Sequence, residues 1–156
     1  KSVGFLGGPE RSTSTRDRLE GFLDELNDYP NIATQVSFAG EYTFDGGLRA
    51  MQGLINSRLA QGYFCGDDVI SIGAMSALQK AGYRIPQDVG LIGFNNSEMS
   101  AWENIRLTTV AQPLPEIIDE TVRRVHAMLS EPAAHKVGVV LMSCEIIERD
   151  TLPNLG

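Results

Sequence analysis

The chain has 156 residues, of which 42% are hydrophobic and 21% are charged, which is typical of a globular domain with one substantial core. Its formal net charge of -7 argues against a nucleic-acid interface on this segment, because such interfaces carry a basic footprint. No apolar run approaches the roughly 20 residues that a membrane-spanning helix needs. Because the chain starts at Lys1 and enters a strand-like segment directly, we expect it to be a fragment of a longer protein.

Strand and helix patterns alternate along the chain. Short apolar runs predict strands at residues 2–6, 34–38, 63–65, 89–94 and 107–110, and a final strand or hairpin within 137–142 and 145–147. Helical spacing of apolar residues predicts helices from 14 or 15 to about 26, from 43 or 45 to about 61, from 68 to about 81, and over 115–130. This alternation predicts an α/β fold, a doubly wound parallel sheet with helices on both faces.

The helix ends carry residues that suit them. Ser14 or Thr15 can cap the first helix, and Thr43 or Asp45 the second, because short polar side chains accept hydrogen bonds from free backbone N–H groups. Gly82 can end the third helix. The fourth helix is expected to start at Pro115. These signals set the boundaries that we expect for the helices.

Polar side chains follow two neighbouring strands. Asp67 and Asp68 come after residues 63–65, and Asn95 and Asn96 come after residues 89–94. In parallel α/β sheets, ligands bind outside the carboxyl ends of the strands, so these residues predict a binding cleft. Adjacent acids do not share a helix face, and no further ligand lies at suitable spacing, so a metal site is not expected. We expect one of the two aspartates to contact the ligand and the other to cap the helix.

The other strand-end loops also offer polar groups. The loop after the first strand combines Ser12, Ser14 and Arg18, with Arg16 as a secondary candidate, in a pattern that fits either a solvated loop or sugar hydroxyls. Tyr42, after the second strand, either stacks on a sugar face or packs against a neighbouring helix. Both interpretations of each loop stay open at the level of the sequence.

Catalysis is not expected from this chain. The sequence has no nucleophile elbow, phosphate-binding loop or dinucleotide fingerprint, and its two histidines lie far along the chain from the acidic residues. Cys65 and Cys144 both lie in apolar, strand-like runs, so we expect buried thiols rather than a disulfide. Neither cysteine has a C-x-x-C partner, so a zinc site is not expected, and neither is a cofactor.

Three blocks in a fixed order resemble the lactose-repressor (LacI/GalR) family of bacterial transcription regulators. They are DVISIGAMSAL at 68–78, GYRIPQDVGLIGF at 82–94 and LTTVAQP at 107–113. The resemblance extends over nearly the whole chain, but only over the carboxyl-terminal half of a family member. It implies an effector-binding lobe made of residues 1–112 and about 137–150, with 113–131 as a crossover helix that belongs to the other lobe.

The resemblance also implies which residues bind the effector. The matching positions are Arg18 (before Gly21-Phe22), Tyr42, Asp67, Asn95 and Gln112, with Ser12 and Ser14 as weaker contacts. Two positions depart from the family, which has Asn where this chain has Asp67 and commonly has Asp where it has Asn95. A carboxylate at 67 would favour a ligand that offers hydroxyl donors, or a cationic one.

The function that the resemblance implies is that of a cytoplasmic regulator, expected to be a repressor. A small molecule, expected to be a sugar, would bind between two lobes, and a homodimer would bind operator DNA through a helix-turn-helix headpiece absent from this segment. The alternatives are a sugar-binding protein of a transport system and a lobe that serves only as an interaction module. The blocks at 85–89 and 107–110 favour the regulator.

Overall fold

The computed structural model describes residues 1–130 and 138–153. Within these ranges the strands are Ser2–Gly7 (β1), Ala33–Phe38 (β2), Gly62–Cys65 (β3), Gly90–Phe94 (β4), Thr109–Ala111 (β5) and Glu145–Ile147 (β6). The α-helices are Thr13–Leu26 (α1), Phe44–Ile55 (α2), Asp68–Lys80 (α3) and Leu114–Ser130 (α4). A short 3-10 helix follows β4 at Glu98–Ala101. None of the helices described is long and apolar enough to cross a membrane.

The strands form one sheet in the order β2-β1-β3-β4-β5-β6. Strands β1 to β5 pair in parallel, and β6 pairs antiparallel with β5. The expected doubly wound sheet is therefore confirmed. The chain runs outward from β1 to β2 and then crosses to β3 on the other side of β1. This reversal of direction opens a crevice at the carboxyl ends of β1 and β3, where ligands bind in such sheets.

The two faces of the sheet are covered differently. Residues Leu6, Tyr63 and Leu91 are buried in the core that includes α2 and α3. Their neighbours along the strands point to the opposite face, because side chains alternate along a strand. There Phe5 packs against Phe22 of α1 at a centroid distance of 5.8 Å and against Phe64 at 5.7 Å. Helix α1 thus lies on one face, and α2 and α3 lie on the other.

Several expected helix ends are corrected. Helix α2 stops at Ile55 rather than near residue 61, because Asn56 and Ser57 close its last turn through hydrogen bonds to backbone carbonyls. The following residues turn inward, where the backbone N–H of Ala60 donates to the Tyr63 hydroxyl at 2.9 Å. Of the two expected caps, Thr43 is the one that caps α2, by accepting from the N–H of Gly46 at 3.0 Å.

Helix α1 also begins earlier than expected. Its N-cap is Ser12, whose side chain makes no capping hydrogen bond, so Ser14 and Thr15 lie inside the first turn. Thr15 is instead buried. Helix α3 runs to Lys80, and Gly82 follows it with a φ of 85°. A left-handed φ of this kind suits glycine, so the predicted helix stop is confirmed.

The segment after β5 differs most from expectation. Helix α4 starts at Leu114 rather than Pro115, and none of its residues is buried. Residue 137 lies outside the described residues, and residues 138–144 do not form the expected strand; only Glu145–Ile147 does. Cys144 is exposed there, so the expectation of a buried thiol holds only for Cys65. Burial raises the pKa of the Cys65 thiol to about 12.

Candidate functional site

Three of the predicted residues meet at the carboxyl edge of the sheet. Gln112, after β5, donates from Nε2 to Asn95 Oδ1 at 2.7 Å. Asn95, after β4, donates from Nδ2 to Asp67 Oδ2, also at 2.7 Å. The side chains from the ends of three strands therefore form one continuous hydrogen-bonded relay, which we call the relay Gln112–Asn95–Asp67. Parallel pairing of β3, β4 and β5 brings them together, because it places all three carboxyl ends at the same edge.

The expectation that the second aspartate, Asp68, caps the helix is wrong. Asp67, expected to bind ligand, is itself the N-cap of α3, because its Oδ1 accepts from the N–H of Val69 at 2.8 Å. Asp68, expected as the cap, is only 1% exposed. Its carboxylate accepts from the N–H of Ser97 and from the Thr109 hydroxyl, both at 2.6 Å. Asp68 therefore supports the neighbouring loop from within the protein.

The electrostatics of Asp67 reflect its half-buried position. Burial raises its pKa above the ordinary value of 3.8, and the nearby Asp68 carboxylate acts in the same direction. The hydrogen bonds from the Val69 N–H and Asn95, together with the charge of Arg18, act in the opposite direction. Burial prevails over these stabilising partners. The carboxylate thus keeps an unfavourable desolvation that a ligand with donor groups would relieve.

Arg18 reaches the same edge from α1. Its Nη1 donates to the carbonyl of Gly66 at 2.8 Å, and its Cζ lies 4.0 Å from the centroid of the Phe94 ring. An aromatic face attracts a guanidinium, so this geometry holds the cation beside the end of β4. Arg16, the secondary candidate, is exposed on the same helix. Arg18 is therefore the arginine that the fold places beside Phe94 and close enough to Asp67 to affect its pKa.

A second group of predicted residues lies at the ends of β1 and β2. The Tyr42 hydroxyl lies 2.7 Å from Thr15 Oγ1 and 3.2 Å from Ser12 Oγ. Its ring lies over Gly8, where any Cβ would overlap the ring. Tyr42 therefore packs on α1, as one of its two interpretations expected, while its side chain stays partly exposed. Ser14 is exposed in the first turn of α1.

Sequence reasoning missed Arg149 altogether. Its Nη2 donates to Asn96 Oδ1 at 2.8 Å, and its Nη1 donates to the carbonyl of Leu107 at 2.7 Å. It follows β6, so 53 residues separate it from Asn96 along the chain. A single arginine in a short terminal segment carries no local signal that could have revealed this role. Arg149 reaches this position because β6, which precedes it, pairs antiparallel with β5.

Two cavities lie away from Asp67, Asn95 and Arg18. A cavity of about 230 Å³ lies at the opposite, amino-terminal edge, lined by residues that include Ser2 and Ala33, far from the predicted contacts. A second, of about 410 Å³, lies between α4 and residues 140–144 and includes Gln112. Across residues 1–130 and 138–153, no group of three His, Cys, Asp or Glu side chains could hold a metal ion. The carboxyl edge thus offers one carboxylate, one guanidinium, amides and hydroxyls, which suit hydrogen bonding to a polar ligand.

Comparison with known proteins shows which family the chain resembles. Residues 1–152 match the model of the periplasmic binding protein-like domain. The chain is 33% identical over 153 residues to the transcriptional repressor CytR of Escherichia coli, covering 96% of the chain and 44% of that protein. It is 32% identical over 129 residues to the ribose operon repressor of E. coli, covering 79% of the chain and 39% of the repressor.

A solved repressor structure also superposes on nearly the whole chain. The lac repressor dimer bound to operator and the anti-inducer ONPF superposes with a TM-score of 0.82 at 26% identity, covering 97% of this chain and 52% of that one. The chain spans about half the length of the curated relatives that it matches.

Proposed function

Because the chain belongs to the periplasmic binding protein-like domain family, in the branch of the LacI-type repressors, we propose that it forms the carboxyl-terminal lobe of a bacterial repressor's effector-binding region. The observation that carries this proposal is the relay Gln112–Asn95–Asp67 with Arg18 beside it, at the sheet edge where such folds bind ligands. The repressor relatives favour this role over that of a transport protein.

The effector that fits this edge is a neutral molecule rich in hydroxyl groups, such as a sugar. Asp67 is an acceptor that ligand hydroxyls can satisfy, and Arg18 balances its charge, so the pair presents no net charge to the ligand. A relative named for the ribose operon supports the same class. Ser12 and Tyr42 add hydroxyl groups at the ends of β1 and β2. Ser14 would contribute only a peripheral contact.

The exposed helix α4 supports the proposed division into lobes. Residues 1–112 and about 137–150 would form this lobe, and 113–131 would pack on the other lobe. The apolar residues of α4 are highly exposed, with Ile118 at 59%, Val122 at 63% and Leu129 at 78%. Such a stripe is stable in water only when another surface covers it. A second lobe of the same protein is the cover that the family architecture provides.

The remaining parts of the proposal concern the whole protein. We propose a cytoplasmic homodimer that binds operator DNA through a headpiece outside this segment, whose own net charge is -7. This lobe would have no catalytic activity, because the relay lacks an activated nucleophile. Effector binding would favour one arrangement of the two lobes over the other. The position of the DNA-binding headpieces would change with that arrangement.

A ligand screen followed by two substitutions tests the proposal. Thermal shift of the intact protein against sugars, sugar phosphates, nucleosides and bases identifies the effector class. We expect Arg18→Ala and Asp67→Ala each to weaken binding of that effector by about 1–3 kcal/mol, the usual cost of a lost buried hydrogen bond. Asp67→Ala also removes the N-cap of α3 and should lower the unfolding midpoint, so the affinities are compared at a temperature where every variant is folded. Calorimetric titration measures the affinities.

Arg16→Ala is the matched control. Arg16 is exposed two residues earlier on α1, so its removal changes the net charge equally but should leave the affinity within about twofold. Unchanged affinity in both Arg18→Ala and Asp67→Ala would show that the effector binds elsewhere.

A further inference from the structure

The residues that end β4 adopt an unusual backbone. Asn95 has a φ of 108° and Asn96 a φ of 48°. Residues other than glycine rarely adopt positive φ, and they persist there only when their surroundings hold them. We call these two residues the Asn tip. Since Asn95 belongs to the relay Gln112–Asn95–Asp67, the position of the candidate site depends on what holds the Asn tip.

Both asparagines of the tip donate their backbone N–H groups to β5, but different side chains hold their amides. The backbone N–H of Asn95 donates to the carbonyl of Val110 at 2.9 Å, and its side-chain Oδ1 accepts from Gln112. The Asn96 side chain instead accepts from Nη2 of Arg149 at 2.8 Å. Gln112 lies just before α4, and Arg149 lies just after β6. The side chains of Gln112, before α4, and of Arg149, after β6, therefore each bond to a different residue of the tip.

Arg149 is fixed by several bonds at once. Its Nη1 donates to the carbonyl of Leu107 at 2.7 Å and to the hydroxyl of Ser100 at 3.1 Å. Its backbone N–H donates to Thr108 Oγ1 at 2.9 Å. The planar guanidinium thus connects the end of β4, the 3-10 helix and the start of β5. All these acceptors are neutral, so the geometry of the fork matters more than the charge of the side chain.

We propose that Arg149 is a positioning residue for the effector site. It holds Asn96 in its left-handed conformation and thereby fixes the direction in which Asn95 faces Asp67. This role rests on the proposed function of the carboxyl edge. A displacement of Arg149 would therefore move Asn96, and Asn95 with it. Arg149 thus links the site to the chain that follows β6.

Amide hydrogen exchange in the intact protein, without any ligand, tests the proposal. In Arg149→Gln we expect amides 95–97 to exchange at least tenfold faster than in the wild type, with an intermediate effect in Arg149→Lys. We also expect the resonances of the Asn95 side-chain NH₂ group to shift. This shift would be indirect, because Arg149 bonds to Asn96 and not to Asn95. Because the experiment needs no effector, it can fail or succeed independently of the proposed function.

Arg106→Gln is the matched control. Arg106 forms an exposed ion pair with Asp150, with 2.6 Å between Arg106 Nε and Asp150 Oδ2. Asp150 directly follows Arg149 in the chain. The loss of Arg106 removes the same charge from the same region and should leave amides 95–97 within twofold of the wild type. Equal acceleration in Arg149→Gln across α3, β4 and the tip would overturn the proposal, because it would indicate general destabilisation. Unchanged exchange at 95–97 would overturn it as well.

Asn96→Gly separates the positioning role from a general structural one. Glycine adopts a left-handed φ without support, and this substitution removes the acceptor that Arg149 holds. In the Asn96→Gly background, Arg149→Gln should therefore shift the Asn95 NH₂ resonances far less than it does alone. An equal shift in both backgrounds would contradict action through Asn96. If Arg149→Gln does not fold, Asn96→Ala alone should still accelerate exchange at 95 and 97 tenfold.

Discussion

At the scale of the residue, the ionised carboxylate of Asp67 determines the hydrogen-bond direction of the whole relay. A carboxylate only accepts, so Asn95 must turn its NH₂ toward Asp67 and its carbonyl toward Gln112. Sequence reasoning identified all three residues as site candidates. It could not show that they bond to one another, because 28 residues separate Asp67 from Asn95 and only strand pairing brings them together.

Asp67→Asn should reverse this direction. The new amide would donate to Asn95, so the Asn95 and Gln112 amides would both rotate and present the opposite groups to the effector. We therefore expect a change in the preferred effector rather than a uniform loss of affinity. The same ligand panel, measured with the wild type and the variant side by side, reports this change. Identical rank orders of affinity would contradict it.

The same substitution should change how stability depends on pH. Burial raises the folded-state pKa of Asp67 above 3.8, so the folded chain binds this proton more tightly than the unfolded chain. Its contribution to stability therefore falls as the pH rises from 3.8 through the raised pKa, and it is constant above that. Asp67→Asn should remove this decline in urea unfolding measured from about pH 3.8 upward to neutral pH.

Asp88 provides a control of opposite sign. Its ion pair with Arg84 lowers the pKa of Asp88 to about 2, so its contribution is present above the ordinary value and is lost as the pH falls toward 2. Asp88→Asn should therefore lower stability by a constant amount at neutral pH and remove only the pH dependence between 3.8 and about 2. A wild-type profile in Asp67→Asn would contradict the assigned shift.

At the scale of the element, close packing of α2 on α3 depends on glycines. A Cβ at Gly73 would overlap the backbone carbonyl of Phe44, and one at Gly47 would overlap the backbone of Ile70. Periodicity predicted both helices, but it could not distinguish these glycines from Gly53, because all three lie within helical patterns. The early end of α2 was equally hidden, since Leu59 continues the apolar spacing while its backbone has already left the helix.

Alanine substitutions separate the two kinds of helical glycine. Gly53 lies in α2, and no atom lies within 4 Å of the position that a Cβ would take there, so Gly53→Ala should stabilise the fold by about 0.5–1 kcal/mol. Gly73→Ala should destabilise it by about 1–3 kcal/mol, because the helices must separate. Urea denaturation followed by the fluorescence of Trp102 measures both. Stabilisation by both substitutions would show that α2 and α3 can move apart at little cost.

At the scale of the whole molecule, the sheet packs with the helices α1, α2 and α3, whereas no residue of α4 is buried. The alternation of strands and helices predicted this sheet, and the order of its parallel strands confirmed the doubly wound fold. The antiparallel β6 was expected only as a strand or hairpin. Its pairing partner could not be inferred, because the intervening helix α4 has no buried residue in this lobe.

The exposed stripe of α4 should make it the least protected helix of this chain. Burying one such side chain fully contributes about 1.5–3 kcal/mol, so several left exposed favour either motion or association. In the 156-residue chain, amides 117–129 should exchange faster than amides 70–80, or with more dependence on protein concentration. Mass spectrometry at two protein concentrations measures this. Equal, concentration-independent protection of both helices would show that the lobe needs no partner.

The pairing of Ala111 with Glu145 has a practical consequence for protein engineering. The chain departs from the sheet and rejoins it at adjacent positions, so everything between these residues is an insertion into a β-hairpin. A two-residue Asn-Gly turn closes such a hairpin with the twist that antiparallel strands require. Replacing 112–144 by this turn should give a minimal, monomeric module that keeps the bond between Asp67 and Asn95. Such a module would show what Arg18, Asp67 and Asn95 contribute to effector recognition in the absence of Gln112 and α4.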